Sequence, residues 1–352
     1  MVFSGYIIKL PYLAVWKLKK RLKKLHGLIV YIQLYQDYTT VENILPYLNK
    51  PYLICSDNKK VQNELKKKGI ESVRWPIWGE TVLMARHAFH KFPIKEIRKI
   101  GVNHGAYCFK DFISSKKFNE FDLYLFASEV ENKNALSKGI TIGQAGGHPR
   151  LDTLRSHETI KQASVIKENF TEKNRKLVLF SATWNGSGMS AIDKWVYRIE
   201  ELASRYQIAA TVHPKMDKEY STILKSYKNI VFVNEEQLPA YMYASDILIS
   251  DTSSIIGEFC ALNKPIITFR VDSKSSRLTS EIKKLIEDIS VQIDSFDELP
   301  EAIECYEKQP DLKKENREHY NKIMFDDVRV CQGKRAADII NKKLTQLAQN
   351  RN

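Results

Sequence analysis

Four short polar clusters interrupt apolar runs in this chain, and each holds side chains able to move a proton or grip an anion. His104-Gly105 follows the run 100–103, and Ser181-Ala182-Thr183-Trp184-Asn185-Gly186 follows 176–180. His213-Pro214-Lys215 follows 208–212, and Asp251-Thr252-Ser253-Ser254 follows 247–250. Imidazole titrates near neutral pH, so a histidine suits proton removal from an attacking hydroxyl. Hydroxyls, a lysine and the unpaired N–H groups of a helix start can together hold a phosphate. A lone histidine at a strand end is ordinarily structural, and Asp, Ser and Thr are also plain capping residues. Four such clusters at four apolar ends favour a functional cleft.

The elements around these clusters alternate, which argues for parallel sheets with crossover helices. Strands are expected at 28–34, 52–56, 72–75, 100–103 and 123–127, with helical runs at 61–68, 81–91 and 132–138. A second half repeats the pattern, with strands at 176–181, 208–212, 230–233, 247–250 and 266–269. Between them, Ile192, Trp195, Ile199, Leu202 and Tyr206 share one face of an expected helix over 190–206. Ligands of such sheets sit beyond the carboxyl ends of the strands, where the clusters fall. After 247–250, Ile255, Ile256, Phe259 and Leu262 recur at helical spacing, so Asp251 to Ser254 open a helix. No G-x-G-x-x-G follows a strand, so no dinucleotide cofactor is indicated.

The chain has 352 residues, 43% of them hydrophobic, enough for two domains with real cores. The polar stretch 153–175 is the expected linker, in part helical. Four segments are expected: a basic amphipathic 1–26, an acceptor-side Rossmann-like domain 27–155, a nucleotide-binding domain 156–333, and a C-terminal helical segment 334–352 able to pack back on the first domain. The five cysteines, Cys55, Cys108, Cys260, Cys305 and Cys331, are scattered without metal-ligand spacing, as in reduced cytosolic proteins. No metal or other cofactor is expected. A net charge of +13 suits an anionic partner. Much of it lies in KLKKRLKKL at 17–25, behind an apolar lead at 6–16 too short to span a bilayer and broken by Lys9 and Pro11. Residues 6–25 fit an anchor on an anionic membrane surface and equally a helix packing its apolar side on the domain. Without a nucleic-acid-binding motif, no nucleic-acid partner is expected.

Taken in order, the clusters resemble the CDP-glycerol glycerophosphotransferase family of teichoic-acid and related capsule-polymer synthesis. Asn103-His104-Gly105 with Lys110 is similar to its HG…K segment, and Gly147-His148-Pro149-Arg150-Leu151-Asp152 to its G-x-P-R-x-D element. Ser181-Ala182-Thr183-Trp184, His213-Pro214, Asp251-Thr252-Ser253-Ser254 with Glu258-Phe259, Lys264-Pro265 and Gln332-Gly333-Lys334 continue the likeness through residues 99–341. Several positions depart from the family pattern: His148, Ala182 and Thr252 replace its usual aromatic, proline and tyrosine. After Phe269, the stretch Arg270 to Lys274 lacks the family's aromatic-rich continuation.

The resemblance implies an α/β GT-B fold: two Rossmann-like, doubly wound domains facing across a cleft. It implies transfer of a polyol phosphate, glycerol phosphate foremost, from a CDP-activated donor to a hydroxyl of a lipid-linked or polymeric glycan acceptor, with CMP released. His104 is then the general base, and His213, Ser253 and Ser254 bind the donor phosphates, with Thr183 and Lys215 beside them. Arg150 either joins them or pairs with Asp152, and Glu258 either reaches a ribose hydroxyl or is a satisfied surface charge. Asp251 caps its helix or orients a neighbour. The implied location is the cytoplasmic face of the cell membrane, as a peripheral protein. A GT-B glycosyltransferase using a nucleotide sugar in capsule or lipopolysaccharide synthesis is the alternative enzyme, and a basic membrane- or polyanion-binding α/β protein is the non-enzymatic one.

Overall fold

A computed structural model describes residues 3–105, 114–169, 175–272 and 278–349. The chain forms two compact units. The first takes the described residues of 1–104, 112–150 and 329–352, and the second those of 105–111 and 151–328. Apart from Gly105, the described chain passes to the second unit after Arg150 and returns at Arg329, beside expected boundaries at 155 and 333.

In the first unit seven parallel strands run β1 (His26–Tyr31), β2 (Tyr52–Ser56), β3 (Val73–Arg74), β4 (Gly79–Met84), β5 (Arg98–Val102), β6 (Leu123–Phe126) and β7 (Gly143–Ala145). Their order is β3-β2-β1-β4-β5-β6-β7, so the sheet reverses its direction of growth between β1 and β4. Side chains alternate between two cores, as period-2 geometry requires. Leu28, Val30, Leu83 and Val102 pack with Ala336, Ala337, Ile340 and Leu344 of the C-terminal helix Gln332–Gln349. Ile29, Tyr31, Val82 and Met84 pack with Tyr12 and Trp16 of the N-terminal helix Phe3–Arg21. Tyr12 donates to the Ile77 carbonyl at 2.5 Å and Trp16 to that of Gly79 at 2.9 Å, so this helix is hydrogen-bonded into the unit.

The second unit has six parallel strands: β8 (Leu177–Ala182), β9 (Gln207–Val212), β10 (Ile230–Phe232), β11 (Ile247–Ser250), β12 (Ile266–Phe269) and β13 (Val291–Ile293). Their order is β10-β9-β8-β11-β12-β13, with the reversal between β8 and β11. Every residue of β8, β11 and β12 is buried, which is why they read as continuous apolar runs.

Two expectations are corrected. The run 81–91 is not a helix: it supplies β4 and then a loop ending in a 3₁₀ turn at Phe89–Lys91. A strand buried on both faces has no alternation, and its apolar run is indistinguishable from a buried helix. Residues 190–206 bury the expected face but not as one helix. They form a short helix, Ile192–Trp195, and a 3₁₀ segment, Ile199–Ser204, closed by i→i+3 bonds such as Arg205 N–H to the Leu202 carbonyl. A spacing of three and four serves both windings equally. The stretch 153–175 carries the helix expected in part of it, His157–Asn169. Strands β7 and β13, three residues each, carried too little pattern to be seen.

Candidate active site

At the β8/β11 reversal of the second unit, the loops after β9, β8 and β11 emerge side by side. Asp251 organizes them. Its side chain is almost fully buried, and its two carboxylate oxygens accept backbone N–H bonds from Thr183, Ala191, Thr252 and Ser253 at 2.5–3.1 Å. Burial pushes the carboxyl up to about 6, although those four N–H groups favour its charge. Thr252 Oγ1 adds a bond to the Met189 carbonyl at 3.0 Å. Asp251 therefore ties the β8 loop to the β11 turn and holds Thr183, half-buried, in place. The orienting role is the one its contacts describe.

The β9 loop is fastened to the same assembly. Asn185 Nδ2 donates to the Asp217 carboxylate at 2.6 Å, and Lys215 Nζ lies 5.8 Å from the ring centre of Trp184. His213 Nδ1 accepts the Lys215 backbone N–H at 3.0 Å. An acceptor Nδ1 places the neutral ring's proton on Nε2, so the outer edge of His213 is a hydrogen-bond donor.

Ser253 and Ser254 differ. Ser253 is 8% exposed whereas Ser254 lies open to solvent, so they do not present equivalent hydroxyls. The helix they precede is only Ile255–Cys260, and a helix that short has little macrodipole. The groups here with the chemistry to hold an anion are therefore hydroxyls, backbone N–H groups, His213 and Lys215 rather than a helix dipole. Glu258, on that helix, is half-buried. Nearby, Lys264 donates to the Tyr243 and Ser245 carbonyls, and burial pushes its ammonium down to about 8.

His104 belongs to the first unit, just beyond β5. Its Nδ1 lies 3.1 Å from the Ala85 carbonyl. A carbonyl can only accept, so Nδ1 carries the proton and Nε2 carries the lone pair. Asn103 beside it donates to Glu131 at 2.8 Å, pinning the strand end. Lys110 and Cys108 lie outside the described residues.

Arg150 is half-buried at the start of the short helix Arg150–Leu154. The motif just before it does structural work. Gly147 has φ +88°, and a Cβ there would come within 2.1 Å of Gln332 Oε1, which accepts the His148 N–H at 3.2 Å. A Cβ on Gly333 would meet the Asn43 carbonyl oxygen at 2.0 Å, and Asn43 Nδ2 donates to the Pro149 carbonyl. Gly147 and Gln332-Gly333 thus seat the C-terminal helix in the first unit.

Sequence reasoning placed Asn185 in the cluster after β8 but missed its partner Asp217, which no motif marks. It missed Arg86 and Asp37, an ion pair at 2.7 Å beyond β4 and β1, because β4 was read as helix. Among the described residues, no three His, Cys, Asp or Glu side chains gather as metal ligands, and no helix is long and apolar enough to cross a membrane.

Comparison with known proteins agrees with this architecture. A wall teichoic acid polymerase, TagF, superposes with a TM-score of 0.69 over 99% of both chains at 14% identity. The UDP-GlcNAc 2-epimerase of Neisseria meningitidis superposes at 0.59 over 92% of this chain and 100% of that one, at 15% identity. The two parallel-sheet units are of the GT-B type. In sequence, the teichoic acid ribitol-phosphate polymerase TarL of Staphylococcus aureus is 25% identical over 58% of this chain and 36% of its own. The teichoic acid glycerol-phosphate primase of Bacillus subtilis is 30% identical over 45% of this chain and 42% of its own. The chain thus spans less than half the length of these curated relatives. Residues 89–332 match the profile of one family across more than half of the sequence, and the chain belongs to it: the CDP-glycerol:poly(glycerophosphate) glycerophosphotransferases.

Proposed function

We propose that the protein transfers a polyol phosphate, glycerol phosphate foremost, from a CDP-activated donor to a hydroxyl of a lipid-linked or polymeric surface-glycan acceptor. The observation that carries this reading is the opposite tautomers of its two strand-end histidines. His104, with Nδ1–H on the Ala85 carbonyl, offers a basic Nε2. His213, with Nδ1 on the Lys215 N–H, offers a hydrogen-bond-donating Nε2–H. A displacement at phosphorus uses one of each. The acceptor oxygen bonds to the phosphorus bearing the polyol while its proton passes to His104. The bridging P–O bond breaks, and CMP leaves with the electron pair. His213, Lys215, Thr183, Ser253 and Ser254 stabilise the charge on the phosphates, and Glu258 takes a ribose hydroxyl.

The family membership and the TarL and primase likenesses support this class of chemistry. With CDP-glycerol, CMP formation should fall about 10²–10⁴-fold in His104→Ala, the usual contribution of a general base. His213→Ala should lose about 10²–10³-fold, as for one electrostatic donor. Full activity in both variants removes these roles. A donor present at about 100 times its Kd should stabilise the fold by about 2.7 kcal/mol, so a thermal-shift series with CDP-glycerol, CDP-ribitol and UDP-sugars identifies the activating nucleotide.

The protein also works, on this proposal, at an anionic membrane surface on the cytoplasmic side. Leu18 and Leu22 are 56% and 53% exposed, and with Pro11 and Ala14 they recur at helical spacing on the face away from Tyr12 and Trp16. Lys17, Lys20 and Arg21 flank that stripe and, with Lys95, Arg98 and one acidic residue, Glu96, line an open hollow beside Trp16. An apolar stripe with basic shoulders is the pattern of a helix lying in a bilayer interface.

A further inference from the structure

β1, β4 and β5 are neighbours in register, Tyr31 opposite Met84 and Met84 opposite Gly101, so the loops beyond them share one edge of the first unit. That edge includes the reversal of strand order, where α/β sheets bind ligands. It holds an ion pair that the transfer chemistry above does not use. Arg86 Nε donates to Asp37 Oδ1 at 2.7 Å. Asp37 Oδ2 accepts the backbone N–H groups of Gln33 and Leu34, each at 3.0 Å, and its side chain is 1% exposed. Arg86 Nη2 lies 3.4 Å from Gln36 Oε1, and the Arg86 side chain keeps 24% of its surface exposed.

This geometry is unlike that of an arginine present only to neutralise a carboxylate. Such pairs gain most from two parallel N–H···O bonds. Here one carboxylate oxygen is committed to backbone N–H groups, and the other meets the guanidinium along its Nε edge. The buried Asp37 thus fixes the plane of the guanidinium and leaves part of its fork in solvent. The same loop also sets the base, because the carbonyl that takes the Nδ1–H of His104 belongs to Ala85, the residue before Arg86. Guanidinium and imidazole are held by adjacent residues of one loop.

We infer that Arg86 is a phosphate-binding residue for the acceptor, holding the phosphodiester that stands one polyol unit behind the attacking hydroxyl. The inference rests on the transfer reading, since an acceptor already carrying polyol phosphate presents that group next to its reactive end. A planar guanidinium matches a phosphodiester's two free oxygens, and a fixed one orders the acceptor with less entropy lost than a lysine would. Asp37 is its positioning residue.

The test uses the full chain, CDP-glycerol and two synthetic acceptors with the same terminal hydroxyl. One carries a glycerol phosphodiester behind it and the other a neutral glycoside. Wild type should prefer the phosphodiester acceptor. Arg86→Gln should lower kcat/KM for that acceptor about 10- to 100-fold, mainly through KM, as for lost hydrogen bonds to a charged group. The preference between acceptors should collapse, and Arg86→Lys should restore part of it. Since Arg86→Gln strands the buried Asp37 carboxylate, the pair Asp37→Asn/Arg86→Gln is measured as well. It should recover melting temperature without recovering the preference. An Arg86→Gln protein that loses equally on both acceptors, or keeps the wild-type preference, overturns the inference while the transfer reading stands. If wild type releases no CMP with either acceptor, the transfer reading fails first and takes the inference with it.

Discussion

Replacing Asp251 by asparagine tests whether burial or hydrogen bonding governs the residue that holds the second unit's loops together. The folded carboxyl sits at about 6, against an ordinary 3.8. As pH rises between those values the unfolded chain releases its proton first, so the unfolded state gains. The contribution is fully present below the ordinary value and lost as pH rises through about 6. A shift of about two units corresponds to about 3 kcal/mol in all, of which about 2 kcal/mol disappears between about pH 4.5 and pH 7. The Asp251→Asn side chain cannot titrate, so the variant lacks this loss.

The asparagine brings its own penalty. Its NH₂ takes the position of one carboxylate oxygen and faces the Ala191 N–H, which now donates at 3.0 Å and is left unpaired in a buried site. That costs about 1–3 kcal/mol at every pH. The expected record is a variant less stable than wild type at about pH 4.5 that gains on it by about 2 kcal/mol at pH 7. Urea unfolding at a series of pH values, followed by amide hydrogen exchange in β8, β11 and β12, reads the unit concerned. A stability gap that stays constant with pH refutes the reasoning: the carboxylate would then be ionised throughout, its four N–H bonds outweighing burial.

Three further outcomes are expected. Gly147→Ala forces a Cβ onto a φ of +88° and against Gln332, so it should cost at least about 1–2 kcal/mol and lower the melting temperature. Lys264, pushed down to about 8 from 10.5, should make stability rise as pH climbs from about 8 towards 10.5, because the unfolded chain holds its proton longer; Lys264→Met should abolish that rise in melts at about pH 7.5 and 9.5. Leu18→Ser/Leu22→Ser should weaken sedimentation with anionic vesicles by about tenfold or more, with little effect on melting temperature, since each buried leucine is worth about 1.5–3 kcal/mol and both are exposed here. Unchanged vesicle binding removes the interfacial role of that face.

Much of the fold was legible because its central strands are buried on both sides and bounded by polar turns. β11 and β12 read as Ile247–Ser250 and Ile266–Phe269 from the apolar runs alone. β4 was equally buried, but Ala85, His87 and Ala88 behind it carried the run on as a plausible helix. That single error hid a strand end, and with it Arg86 and Asp37. The seating of the C-terminal helix was hidden for another reason. Gly147 and Gln332 are far apart in sequence, and only the folded backbone shows that a side chain at one would collide with the other.

The chemical distinction between the two histidines lies one level deeper still. His104 and His213 have the same side chain, each beyond a parallel strand and followed by a glycine or proline. What separates them is the backbone group at Nδ1, a carbonyl for one and an N–H for the other. That choice fixes whether Nε2 takes a proton or gives a hydrogen bond. A backbone partner cannot rotate away as a side chain can. On the proposed transfer, each imidazole is therefore preset for its half of the displacement at phosphorus. Conversely, replacing Ala85 by a residue that displaces its carbonyl would erode the basicity of His104 with the histidine itself intact.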